Sequence, residues 1–229
     1  MKVELLHNTP LWVDAKAIRK CWDSEGNSDS RFDLNGLPFN HGNEAGEADK
    51  ALINKIGNKF KHASTLEHLS YNFDIDGISR ACLQELARHR ISSFSVKSSR
   101  YTLKELKDED NFFPDGGFKY DSGRVSKFVR LTGNSTVDEA IAISLNNLRN
   151  ALANGISNDI AKYCMPESYK TSLVWTINAR SLQNFLTLRT NKAALFEIRE
   201  LANNIFNAIP DEHKYLFEHC IYTEEPIDG

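Results

Sequence analysis

The chain has 229 residues, 41% hydrophobic and 26% charged, which is ordinary soluble globular composition with enough apolar residues for one substantial core. Its 28 Lys and Arg against 31 Asp and Glu leave no general basic surface for nucleic acid. No run approaches the ~18 apolar residues of a membrane span, and the first residues lack the pattern of a secretion signal. A single domain over residues 1–229 is the expectation. The four cysteines, Cys21, Cys82, Cys164 and Cys220, are scattered without a CxxC pair. That spacing argues against a zinc site or a disulfide framework and for a reducing, cytoplasmic setting.

In chain order, residues 2–7 read as a strand. Asp14 is placed to cap a short helix through Cys21, with Val13 and Ile18 at the spacing of a hydrophobic staple. Residues 23–45, rich in Gly, Asn, Asp and Ser, read as a long loop. Helical spacing returns over 47–60, with Leu52, Ile56 and Phe60 on one side. His62, Glu67 and His68 lie close together, but the spacing is not HExxH and no metal is expected. Leu69, Tyr71, Phe73 and Ile75 alternate with polar residues as a half-buried strand that Gly77 is expected to break. Residues 78–90 read as a helix with Ile78, Cys82, Leu86 and His89 along one face.

Residues 107–125 read as loop, turning at Pro114-Asp115-Gly116-Gly117. An amphipathic helix follows over 137–154, with Ala140, Ile141, Leu145 and Leu148 as its apolar set. A short helix is predicted over 158–163 and a second strand over 169–177. Further helices are predicted over 182–188, 193–208 and 212–219. Strands and helices follow one another without regular βαβ alternation. The fold class is therefore α+β, a mixed sheet with flanking helices.

The most informative stretch is residues 88–101. Arg88, Arg90, Lys97 and Arg100 fall within fourteen residues, interleaved with Ser92, Ser93, Ser95, Ser98 and Ser99, and no acid interrupts them. Guanidinium groups bind phosphate oxygens bidentately and hydroxyls fill the remaining acceptors, so a compact patch of this kind suits discrete phosphates. Cations at a helix C-terminus are also favoured by the helix dipole, which accounts for Arg88 and Arg90 without any ligand. Arg180 and Arg189 stand beside Asn178 and Asn184 near other element ends, and such groups can hold phosphates and base edges. No GxGxxG, GxxxxGK[ST] or GxSxG motif is present. The residues by themselves read as a site for a phosphorylated, nucleotide-like ligand.

The same stretch resembles the signature RHRxxSxNExSxRY of the flavin-dependent thymidylate synthases, matching at Arg88, His89, Arg90, Ser93, Ser98, Arg100 and Tyr101. It departs at Ser95 and Val96, where the family usually has Asn and Glu. The resemblance continues through residues 62–76 and 175–189 and covers most of residues 46–209. It implies synthesis of dTMP from dUMP, with methylenetetrahydrofolate as methylene donor, FAD as hydride carrier and NADPH as reductant. It also implies a homotetramer whose subunits share active sites.

By the same resemblance, Arg189 is the catalytic residue. FAD contacts fall on Ser64, Arg88, His89, Arg90, Asn178, Arg180 and Asn184, and dUMP contacts on Glu85, Arg88, Ser98, Arg100, Lys162 and Arg189. Lys162 stands where relatives often carry Arg, and Ala193 where they often carry His. The competing reading is a non-catalytic nucleotide-binding protein, which would hold no FAD.

Overall fold

Two strands show why the chain folds as it does. The computed structural model describes residues 1–30, 45–100, 103–114, 117 and 119–223. In it, Tyr71, Phe73 and Ile75 of strand β2 (Ser70–Ser79) and Thr171, Leu173, Trp175 and Ile177 of strand β4 (Lys170–Asn178) are buried, while the residues between them are not. This period-two pattern places one face of each strand in the core. Strands β1 (Lys2–Asn8) and β3 (Ser92–Val96) complete a four-stranded sheet in the order β1-β2-β4-β3. Backbone bonds from Thr9 to Ser70, Ala179 to Leu69 and Lys97 to Ser172 fit a sheet that runs antiparallel. With helices flanking it, the fold is α+β.

The helices are α1 (Leu11–Cys21), α2 (Glu47–Ile53), α3 (Arg80–Leu86), α4 (Lys104–Lys107), α5 (Ser122–Phe128), α6 (Ser135–Ala153), α7 (Asn158–Ala161), α8 (Ala179–Arg189), α9 (Phe196–Ala208) and α10 (Asp211–Lys214). No helix among the described residues is long and apolar enough to cross a membrane. The chain divides into two compact units of interleaved segments. One comprises residue 1 with 76–87 and 95–173; the other comprises 2–75, 88–94 and 174–229.

The core of the first unit is built on α6, whose Leu145, Leu148 and Leu152 pack with Leu106, Phe112, Val125 and Val129. Asn134 caps α6 by accepting a bond from the Val137 backbone N–H, and Gly155 at φ 81° follows its end. The second unit is centred on aromatic packing. The fully buried Trp175 ring lies 5.1 Å from Phe185, 6.2 Å from Phe73 and 6.3 Å from Phe94. Truncating such a residue to Ala typically costs about 3–5 kcal/mol. Buried Tyr71 also shares a 2.7 Å hydrogen bond with Nδ1 of buried His213.

Several expectations are corrected. Helix α1 starts at Leu11 behind Pro10, so Asp14 is not its cap; it is fully buried, and both carboxylate oxygens lack a hydrogen-bond partner among the described residues. Burial pushes its pKa up to about 7. The helix expected over 47–60 becomes a π-helical turn at Asn54–Lys59. The extra residue shifts the phase: Ile53 and Ile56 are buried and Phe60 is exposed.

Gly77 does not break β2, because its φ of 77° is absorbed within the strand, which runs on to Ser79. Ser79 then caps α3, and α3 ends at Leu86 with no basic residue in its last turn. The dipole explanation for Arg88 and Arg90 therefore falls away. Residues expected to be loop form α5, capped by Asp121, and Ala140 of α6 is exposed while Ala142 is buried. Most of the 23–45 loop, Asp115 and Gly116 of the expected turn, and Tyr101 of the motif lie outside the described residues.

Candidate functional site

In the second unit, chain reversal between α3 and β3 brings His89 into the core. His89 is 5% exposed, and its ring meets Phe185 edge-on at 5.0 Å. Ser92 Oγ donates to the His89 carbonyl at 2.7 Å, and Ile91, between them, sits at φ 60°. That left-handed conformation is costly for a β-branched residue, so the turn is held by its surroundings rather than by preference. Arg189, in the last turn of α8, donates from Nε to His89 Nε2 at 2.9 Å. An imidazole accepting at Nε2 carries no proton there. The pair is thus an arginine whose guanidinium is aimed by a neutral, buried ring.

Arg88, His89, Asn184 and Arg189 line one cavity of about 580 Å³, with Leu188, Ala193 and Ala194 supplying apolar wall. Thr187 and Asn191 also line it, on either side of Leu188 and Arg189 in the chain. Ser64, Asn178 and Arg180 do not line this cavity. Asn178 caps α8, its Oδ1 accepting from the Ser181 N–H at 2.8 Å. Arg180 pairs with Glu67 at 2.6 Å, both about half exposed. Ser64 and Arg90 are exposed.

In the first unit, Ser98, Arg100 and Lys162 come from the segment after β3 and the turn after α7. Ser98 Oγ accepts from the Arg100 backbone N–H at 3.3 Å. The Arg100 guanidinium forks onto Asp159, at 2.9 and 3.3 Å, and Asn158 donates to the Arg100 carbonyl at 2.8 Å. Lys162 lines a cavity of about 300 Å³ with Arg80, Ser99, Tyr163 and Met165. Glu85 is half-buried on α3.

Sequence reasoning missed Asn158 and Asp159, which latch Arg100, and Arg80 beside Lys162. They lie on short helices that no motif marks. The one available signal was a carboxylate three residues before Lys162.

The model of the family described as thymidylate synthase complementing protein matches residues 4–223. The chain is 55% identical over 224 residues to the flavin-dependent thymidylate synthase of Campylobacter jejuni, covering 98% of this chain and 99% of that one. The Wolinella succinogenes protein of the same description is also 55% identical, over 98% of this chain and all of its own. Among solved structures, thymidylate synthase X of Helicobacter pylori with FAD and dUMP superposes with a TM-score of 0.85. It is 48% identical, over 97% of this chain and 100% of that one. With relatives this similar over nearly their whole lengths, the chain belongs to the flavin-dependent thymidylate synthase family.

Proposed function

We propose that the protein methylates dUMP to dTMP, taking the methylene from methylenetetrahydrofolate and reducing equivalents from NADPH, with FAD bound as hydride carrier. The observation that carries this reading is the Arg189–His89 pair lining a cavity with Arg88 and Asn184. Carbon-5 of uracil is a weak nucleophile. A fixed cation at the N3/O4 side of the base favours electron density moving onto that carbon, and a pre-aimed group pays no reorganisation when the charge develops. Arg189 has that role.

The residues present suit FAD. A cavity with apolar wall and Arg and Asn donors matches a ligand with a flat ring system and a diphosphate. Arg88, His89 and Asn184 would hold it there, with Ser64, Arg90, Asn178 and Arg180 as further contacts. FAD, when bound, supplies the passage of hydride from reductant to the transferred carbon. Ser98, Arg100 and Lys162 hold the dUMP phosphate; Lys162 acts as a point charge rather than a fork. Glu85 and Arg88 complete the nucleotide contacts. The working form is a homotetramer with shared active sites, which sizing chromatography with light scattering checks.

The test is a visible spectrum of protein mixed with FAD and freed of excess, then given NADPH anaerobically with and without dUMP. Retained flavin that bleaches faster with dUMP supports the reading. An absence of retained flavin overturns it in favour of a plain nucleotide-binding protein.

A further inference from the structure

The first unit contains more positive charge than a nucleoside monophosphate requires. Beyond the small cavity at Lys162 lies a larger one of about 410 Å³, and the two share Arg80, Ser99 and Met165 as lining residues. The larger cavity adds Lys97, Lys127 and Lys170. Lys170 Nζ donates to the Ser126 carbonyl at 2.5 Å. Among the described residues, no hydrogen bond or ion pair engages the side chains of Arg80, Lys97 or Lys127. Of the acids among the described lining residues, Glu109 is committed to Arg124 at 2.7 Å, which leaves Glu105 to oppose four cations.

Tyr169 adds a hydroxyl, pushed up to about 12 by burial and then by Glu105, so it stays a neutral donor. Cations held together in excess of the acids around them point to an anionic ligand. A track that starts at Lys162, passes Arg80 at the shared wall and reaches Lys97 and Lys127 fits a chain of phosphates rather than one.

We propose that this cavity binds the β- and γ-phosphates of a deoxynucleoside triphosphate whose α-phosphate sits at Lys162. The proposal rests on the reading of Lys162 as a nucleotide-phosphate contact. A triphosphate anchored there competes with dUMP for the monophosphate position. The triphosphate derived from dTMP by two further phosphorylations would then restrain its own supply.

Titration calorimetry on the FAD-loaded protein, without divalent cation, tests this with dUMP, dTMP, dTTP, inorganic tripolyphosphate and tetraglutamate. The expected result is that dTTP binds at least about tenfold tighter than dTMP, the gain of an added charge-assisted contact. Lys127→Ala reduces that advantage to less than about threefold and leaves dUMP affinity unchanged, and the double variant Lys97→Ala/Lys127→Ala reduces the advantage at least as far. If dUMP binds but dTTP is no tighter than dTMP, or if the advantage survives both variants, the proposal is overturned. It is likewise overturned if tetraglutamate displaces dTTP and tripolyphosphate does not, since the cavity would then be a polycarboxylate site. Failure of dUMP to bind, with Lys127-dependent binding of tripolyphosphate retained, would instead count against the thymidylate synthase reading and leave the phosphate cavity standing.

Discussion

Arg189 and Arg100 are both proposed to meet ligand, yet the two units hold them in different ways. Arg189 is bonded to His89, which is 5% exposed and packed on Phe185, within the aromatic cluster around Trp175. Arg100 is paired with Asp159, and both side chains are more than half exposed. An exposed pair of that kind contributes about 0–1 kcal/mol and exchanges readily for another anion. The contrast matches two tasks. Stabilising charge in a transition state requires a group fixed in advance, whereas capturing a phosphate tolerates a side chain that leaves a carboxylate for the phosphate.

The sharpest way to break the comparison is Arg189→Ala. Turnover should fall by about 10²–10³-fold, the scale of losing one pre-aimed electrostatic group, while the flavin spectrum of the purified protein persists. Turnover near the wild-type level would remove the role given to Arg189.

The buried frame of the second unit carries its own liability in Asp14. Its pKa is raised to about 7 from 3.8 by burial, so the folded state resists ionisation that the unfolded chain accepts. Below about pH 4 both states are neutral and there is no penalty. As pH rises toward 7 the unfolded state gains stability, and above 7 the loss to the fold is complete, roughly 4 kcal/mol at most. Urea unfolding at pH 5 and pH 8 should show this fall in the wild-type protein and a flatter profile in Asp14→Asn.

In the first unit, Lys162→Ala should raise the KM for dUMP by about tenfold, one charge-assisted contact, with kcat changed far less. A loss confined to kcat would contradict a phosphate-holding role. The smallest effect is expected at Glu67→Gln, which breaks the exposed pair with Arg180 and should shift stability by less than about 1 kcal/mol. A larger shift in thermal melting would show that this pair is part of the rigid frame.

The parts of the molecule that were legible in the sequence are those where one face alone is buried. Strands β2 and β4 and helix α6 carried their periodicity openly, since each is long and half covered. Strand β3 was not read as one. It sits at the sheet edge, none of its residues is buried, and its Ser-rich sequence reads equally well as loop. The π turn at Asn54–Lys59 was invisible because one added residue changes phase without changing composition. Asp14 looked like a cap because short polar side chains before an apolar run usually are one, and only the fold shows that the cap position lies four residues earlier, at Pro10.

The same holds for the site. The motif of residues 88–100 delivered His89 and Arg100, and the segment 175–189 delivered Arg189 and Asn184. Arg80, Lys127 and Asp159 come singly from three separate segments, so no spacing in the chain announces them.

The most direct test of the central claim is chromatographic detection of dTMP after incubating the protein with dUMP, methylenetetrahydrofolate, NADPH and FAD, alongside mixtures lacking one component each. The expected result is dTMP in the complete mixture, none without reductant or folate, and little from flavin-stripped protein until FAD is restored. A complete mixture that yields no dTMP while dUMP still binds would contradict it.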